Sequence, residues 1–412
     1  MTIGKSANRM SGLEFIPLTN CVACNEIVSK LTLDLGYQPL ANDFLETARD
    51  FETYPLKLMR CINCFHSQLS IAVNPSRLFR NYSYISGTSE TLSKYFNFLV
   101  EKINSEFGLN GKILDIGSND GSFLSKFIET NWIGIGVDPA VNLIPISVSK
   151  GVHTIPAFFS QKTAQVLATD FDVVVAMNIF AHTSNPLEIL LGIKKCLKEN
   201  GRAYIQTSQA EMFFTGEFDT VYHEHISFFN VKSMRALIER AGLYLDKVSI
   251  VPIHGDSYLW EITKKPLTIL KHDREEFEDK HGLYGNGIYE DFAKIAANRV
   301  NDVQKIIENY RENKFTIVTY GAAAKGNTFL NYANIKLDYI FDDTPQKIGR
   351  YSPAGGCIVS SSEFLQEIKN PTLIIIPAWN FKIEILNKIR NLRNNSKDQY
   401  LTYFPEISQE SV

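Results

Sequence analysis

Two stretches of this 412-residue chain repeat one local design: an apolar run, a glycine turn and, 21 residues after the glycine, an acid. In the first, Lys112-Ile-Leu-Asp-Ile-Gly117 is followed by Gly136-Val-Asp138. In the second, Phe315 to Thr319 leads to Gly321, and Asp342 follows Leu337 to Phe341. Continuous apolar runs read as parallel strands buried on both faces, glycine lets the backbone turn sharply, and an acid ending the next strand suits a ribose. Ile133 to Val137, Val173 to Ala176 and Ala203 to Gln206 extend the first series, and Leu373 to Ile376 extends the second. Helical segments lie between them, Leu92 to Phe107 precedes the first series, and Tyr289 to Asn313 has the period of a long linking helix. The fold class is therefore α/β, with two open sheets.

The first 75 residues follow a different pattern, with little helical period and two Cys-x-x-Cys pairs, Cys21/Cys24 and Cys61/Cys64. Four thiolates in paired spacing, in a chain expected to be cytoplasmic, favour a metal over disulfides. Filling a tetrahedron with sulfur leaves no position for water, so the expected zinc is structural. His66, two residues past Cys64, is a bystander on this reading. Three parts are expected: residues 1–75 as a small zinc-binding module, 76–265 as a central Rossmann-like domain, and 266–412 as a second Rossmann-like domain carrying the linking helix.

A net charge of −3 with scattered Lys and Arg argues against a nucleic acid polymer. No apolar run is long enough to span a bilayer, and the start lacks a signal-peptide core, so no membrane partner is expected.

Asp115-Ile-Gly-Ser-Asn-Asp-Gly121 does not have the G-x-G-x-x-G dinucleotide spacing. A turn ending in acids suits a ligand carrying an ammonium and a sulfonium, and S-adenosylmethionine is such a ligand. Gly117 and Gly121 then let the backbone approach its methionine part, Asp115 faces the ammonium, and Asp138 takes the ribose hydroxyls. Phe158 and Phe159 are placed to flank the adenine.

Tyr222-His-Glu-His225 packs two of the eight histidines with a carboxylate and a phenol into four positions. In an extended segment His223 and His225 would share one face and Glu224 the other. Asn178-Ile-Phe-Ala-His182 sets a further histidine near a strand's carboxyl end, and Tyr82 and Tyr84 lie in a polar loop.

Taken in order, these motifs resemble the sugar C-methyltransferases that build branched deoxysugars from nucleotide-linked 4-keto sugars. The resemblance spans nearly the whole chain and rests on the paired Cys-x-x-Cys, Tyr82-Ser-Tyr84-Ile-Ser86, Asp115 to Gly121, Gly136-Val-Asp-Pro139, Asn178 to His182, Tyr222 to Phe229 and Gly321 to Thr328. One departure is Asp256 in His254-Gly-Asp-Ser-Tyr258, where that family usually carries glycine.

The resemblance implies a central S-adenosylmethionine-dependent domain whose cofactor set is Asp115, Gly117, Asn119, Asp120, Gly121, Asp138, Phe158 and Asn178. It also implies a C-terminal domain that helps hold the sugar nucleotide, and methylation at C-3; separately, a monomer is expected. A ketone acidifies the neighbouring carbon, a base removes its proton, and the enolate attacks the methyl group in line. The resemblance makes His225 that base, with Glu224 orienting it and Tyr84, His182 and Tyr222 holding the sugar or stabilising enolate charge. Other readings stay open at this stage: an O- or N-methyltransferase of small molecules, an RNA-modifying enzyme, and an oxidoreductase using NAD on the second sheet.

Overall fold

The computed structural model describes residues 14–80, 86–88, 90–167, 170–208, 211–253, 256–266, 272–393 and 397–411. The chain forms two compact units, each gathered from separate stretches. The first comprises Met1–Lys30, Arg60–Ala210 and Ile226–Lys280; the second comprises Leu31–Met59, Glu211–His225 and His281–Val412. Among the described residues, no helix is long and apolar enough to cross a membrane.

The first unit is built on a seven-stranded sheet of β1 (Asn110–Ile116), β2 (Asn131–Asp138), β3 (His153–Pro156), β4 (Phe171–Met177), β5 (Leu197–Ser208), β6 (Tyr244–Val251) and β7 (Ser257–Thr263). Its order is β6-β7-β5-β4-β1-β2-β3. The first five strands pair in parallel, while β7 is antiparallel to both β5 and β6.

Alternation along the central strands feeds two cores. Leu114, Ile116, Val174, Ala176, Ala203 and Ile205 pack with helices Pro186–Cys196 and Val231–Arg240. Ile113, Val173, Val175 and Tyr204 face helix Glu90–Phe107 through its Leu92, Phe96, Leu99 and Ile103. A strand covered on both faces by helices must be apolar throughout, which is why these runs were legible. The helix starts are also encoded locally. Asn185 caps Pro186–Cys196 through the N–H of Glu188, and Asn230 with Ser233 forms a reciprocal cap on Val231–Arg240.

The second unit holds a six-stranded sheet of β8 (Thr316–Tyr320), β9 (Tyr339–Phe341), β10 (Val359–Ser360), β11 (Thr372–Ile375), β12 (Gln399–Thr402) and β13 (Ser408–Ser411), ordered β10-β9-β8-β11-β12-β13. All neighbours are parallel except β12 and β13. The expected linking helix is Gly287–Glu312, burying Tyr289, Phe292, Ala296, Val300, Val303 and Ile307 at helical spacing.

Two distant stretches join this unit. Leu45 exchanges backbone hydrogen bonds with Tyr351, and the Asn327 amide donates to the Ala41 carbonyl. Gly216, at φ 75°, lets the segment before the histidine turn lie against Gly287–Glu312; a Cβ there would come within 2.7 Å of Ile295.

Both sheets have a point at which the strand order reverses, between β1 and β4 in one and between β8 and β11 in the other. Ligands of open α/β sheets bind outside the carboxyl ends of the strands at such a point.

Candidate functional site

The two Cys-x-x-Cys segments fold into matching turns. The N–H of Cys21 bonds the carbonyl of Glu26, and the N–H of Cys61 bonds that of His66. In each turn the residue after the second cysteine, Asn25 or Phe65, takes a positive φ. Cys21 and Cys64 sulfurs lie 3.6 Å apart and those of Cys24 and Cys61 3.5 Å, with all four within 4.8 Å of one another. Zinc–sulfur bonds of about 2.3 Å need sulfurs at about this spacing.

Without a cation so many thiolates cannot coexist; the hydrogen bond with Cys61, opposed by that with Cys64 and aided by burial, pushes the Cys21 thiol up to about 12. Arg240 donates to the carbonyls of Val22 and Ala23, fastening the first turn to helix Val231–Arg240. His66 is a neighbour and not a fifth ligand: its Nε2 lies 3.3 Å from Ser227 Oγ and its ring rests against Phe229.

A cavity of about 340 Å³ opens at the carboxyl ends of β1, β2, β4 and β5 in the first unit. Gly117, at φ 76°, turns the chain out of β1, and a Cβ there would sit 2.3 Å from Ile179. The Asp138 carboxylate accepts from the backbone N–H groups of Asn119 and Ala140, each at 2.8 Å, which fixes the acid at the cavity wall. Burial raises the Asp138 pKa against those two hydrogen bonds. Asp115 is deeper still: burial first, and the charge of Asp138 second, push its carboxyl up to about 8.

Asp115, Gly117, Asn119, Asp138, Phe158, Asn178 and His182 all border this cavity, as does Phe159. Asp120 and Gly121 do not. The Asp120 carboxylate is held by Lys150, Ser122 and the N–H of Gly87, while Gly121 packs towards Ser147. Asn119 accepts from the N–H of Ser86, so these two side chains tie residues 86–88 to the glycine turn. Gln206, near the carboxyl end of β5, borders the cavity without having been expected there. Its only sequence signal is a polar residue closing an apolar strand.

The histidine segment belongs to the second unit. It is a turn and not an extended strand, closed by the His225 N–H on the Tyr222 carbonyl at 2.8 Å, so the facing expected for an extended segment does not apply. His225 Nδ1 lies 2.9 Å from the Thr220 carbonyl. A carbonyl only accepts, so Nδ1 carries the proton and Nε2 keeps its lone pair. The Tyr222 hydroxyl, 2.9 Å from Nε2, donates to it.

Glu224 accepts from the Asn42 amide at 2.6 Å. His223 is buried against the edge of Tyr54, and burial lowers its pKa to about 4, which keeps it neutral. Tyr82 and Tyr84 lie outside the described residues. Asp256 sits at φ 62°, a conformation in which glycine costs least, which accounts for the glycine the resembling family carries there.

Along the chain, a zinc binding domain model matches residues 21–79, a methyltransferase domain model residues 84–248, and a C-methyltransferase C-terminal domain model residues 261–405. C-methyltransferase NovU of Streptomyces niveus is 26% identical over 421 residues, covering 96% of this chain and 98% of that protein. The chain is similar to a C-methyltransferase along nearly its whole length.

Other similarities are confined to part of it. The ubiquinone biosynthesis O-methyltransferase of Haemophilus ducreyi is 26% identical over 121 residues, 27% of this chain and 50% of that protein. The magnesium protoporphyrin IX methyltransferase of Synechocystis PCC 6803, solved with bound SAM, is 10% identical with a TM-score of 0.33, covering 42% of this chain and 79% of that one. The cofactor of this methyltransferase is S-adenosylmethionine, and its four-cysteine cluster is a structural zinc site.

Proposed function

We propose that this methyltransferase methylates C-3 of a nucleotide-linked 4-keto-deoxysugar, in the biosynthesis of a branched deoxysugar. The supporting observation is the fixed tautomer of His225, whose unprotonated Nε2 is held outward from the Thr220 carbonyl by a bond no other tautomer makes. A C-methyltransferase needs a base, because a carbon acid must lose its proton before it becomes a nucleophile, whereas an amine acceptor already carries a lone pair.

On this reading the Tyr222 hydroxyl turns from Nε2 to the 4-keto oxygen, Nε2 takes the C-3 proton as the C–H bond breaks, and the electron pair spreads onto that oxygen. Tyr222 supplies a hydroxyl beside that proton, and Tyr84 and His182 hold the sugar. Glu224, anchored on Asn42, orients the turn. Asp115, Gly117, Asn119, Asp138, Phe158 and Asn178 hold the cofactor, and Asp120 and Gly121 shape the turn around it. When bound, the cofactor supplies an electrophilic methyl group on a sulfonium.

Residues 1–75, 76–265 and 266–412 are carried forward as the metal, cofactor and sugar-nucleotide modules of a monomeric, cytoplasmic enzyme. The test is incubation with labelled S-adenosylmethionine and a panel of nucleotide-linked 4-keto-6-deoxysugars, with the product carbon located by NMR. A new methyl on C-3 supports the reading; methyl on oxygen or nitrogen overturns it.

A further inference from the structure

Four polar atoms around the cofactor cavity have no hydrogen-bond partner among the described residues: Ser118 Oγ, which lies over Gly136 on the strand that carries Asp138, and Asp115 Oδ1, Asn178 Oδ1 and Gln206 Nε2. Asp115 is 1% exposed and Gln206 2%. Buried polar groups are nearly always paired, so the last three, away from Asp138, describe what a ligand bound here must offer at that end.

Their places in the sheet give that ligand a direction. Gln206 is in register with Met177 on β4, Ala176 with Ile116 on β1, and Ile116 with Val137 on β2. Asp138 and Gln206 therefore close opposite ends of one row across four strands. At about 4.8 Å per strand their backbones stand roughly 14 Å apart, with Asp115 and Asn178 between them.

A ligand whose ribose lies at Asp138 presents its other end to the remaining three groups. Two are acceptors and one is a donor, and either side-chain amide can turn over to offer the opposite atom. An α-ammonium beside an α-carboxylate satisfies such a set, because the ammonium donates only and the carboxylate accepts only.

Asn178 is also held in place. It sits at φ 53°, and its N–H is bonded at 2.9 Å to the carbonyl of Gln206 itself, so the two amides are set as a pair by the backbone that carries them.

We propose that Gln206 reads the α-carboxylate of the cofactor's methionyl end, with Asp115 and Asn178 taking its α-ammonium. The assignment rests on the cofactor occupying this cavity and goes beyond it in naming a specificity residue. Calorimetric titration with two ligands tests it: S-adenosylhomocysteine, and 5′-methylthioadenosine, which keeps the adenosine and thioether but lacks the amino-acid end.

Gln206→Leu should weaken S-adenosylhomocysteine at least tenfold while 5′-methylthioadenosine binds within twofold of the wild type. Gln206→Glu, close in shape and opposite in complementarity, should show the same selective loss more strongly and stands in if the leucine variant fails to fold. Equal weakening of both ligands would overturn the assignment in favour of a packing role. Unchanged S-adenosylhomocysteine binding with a raised KM for the acceptor would overturn it in favour of acceptor recognition. Wild-type protein that binds neither ligand would instead overturn the cofactor site itself.

Discussion

The two glycine turns share their spacing and differ in what fills them. Asp138 and Asp342 are each clamped by two backbone N–H groups, from Asn119 and Ala140 in one case and from Ala322 and Thr344 in the other, all at 2.8 Å. The first acid then faces a cavity. The second receives Lys347, whose ammonium lies 3.0 Å from Asp342 Oδ2 and 3.1 Å from the Ala322 carbonyl, bridging acid and turn.

Their titrations diverge accordingly. Burial raises Asp138, whereas for Asp342 burial is outweighed by Lys347 and the hydrogen bonds from Thr344 and Ala322, and the pKa falls. One strand-turn-acid unit thus opens onto a cavity while its counterpart is closed by the chain's own cation. The shared spacing specifies a fold, and the neighbour in space decides whether a ribose can enter. An NAD site on the second sheet would first have to displace Lys347.

The largest expected contrast is in the metal. Among the described residues, only the first unit carries a metal-ligating cluster. Stripping zinc with a strong chelator should abolish the first unit's thermal transition in scanning calorimetry and leave that of the second. Loss of both together, or of neither, would break the contrast.

Asp138→Ala should weaken S-adenosylhomocysteine by roughly 100-fold in calorimetric titration, because two hydrogen bonds to a charged group are lost. Asp342→Ala should leave that affinity within twofold.

Lys347→Met should cost about 2 kcal/mol of stability at pH 7 in urea unfolding, since it strips a charged partner from a largely buried acid. A carboxyl with a lowered folded pKa contributes stability above its unfolded pKa and loses it as pH falls through the folded value. The difference between Lys347→Met and the wild type should therefore shrink as the pH falls below the ordinary carboxylate range.

Asp115 gives the opposite sign. A folded pKa of about 8 means the native state holds the proton longer than the unfolded chain, so stability falls as pH rises from about 4 to 8 and is flat above. Asp115→Asn should remove that slope, raising the melting temperature of the ligand-free protein by a few degrees at pH 8 and not at pH 4.

Much of this was legible because it is periodic or local. Buried parallel strands must be apolar throughout, the helix Gly287–Glu312 repeats its apolar residues at three and four, and the cysteine turns need only their own few residues. What was not legible depends on partners far along the chain. The acid Asp120 reads like a cofactor group until Lys150, thirty residues later, is seen on it. Lys347 gives no sign in sequence that it closes the second turn.

Alternation along His223 to His225 fits a strand equally well, and the turn is set by a hydrogen bond that alternation does not encode. Gln206 was hidden by its own strand. A polar residue at the end of an apolar run ordinarily marks where the sheet meets water, and only its burial beside a cavity distinguishes it.

The central claim is that a histidine base makes a carbon nucleophile. Its most direct test is the exchange of the acceptor's C-3 hydrogen for deuterium in heavy water, followed by NMR with no S-adenosylmethionine present. Wild-type protein should catalyse exchange at C-3 of the 4-keto sugar, while His225→Asn should not, although it still binds S-adenosylhomocysteine. Exchange at the wild-type rate in His225→Asn, or methyl transfer without any exchange-competent carbon in the acceptor, would contradict it.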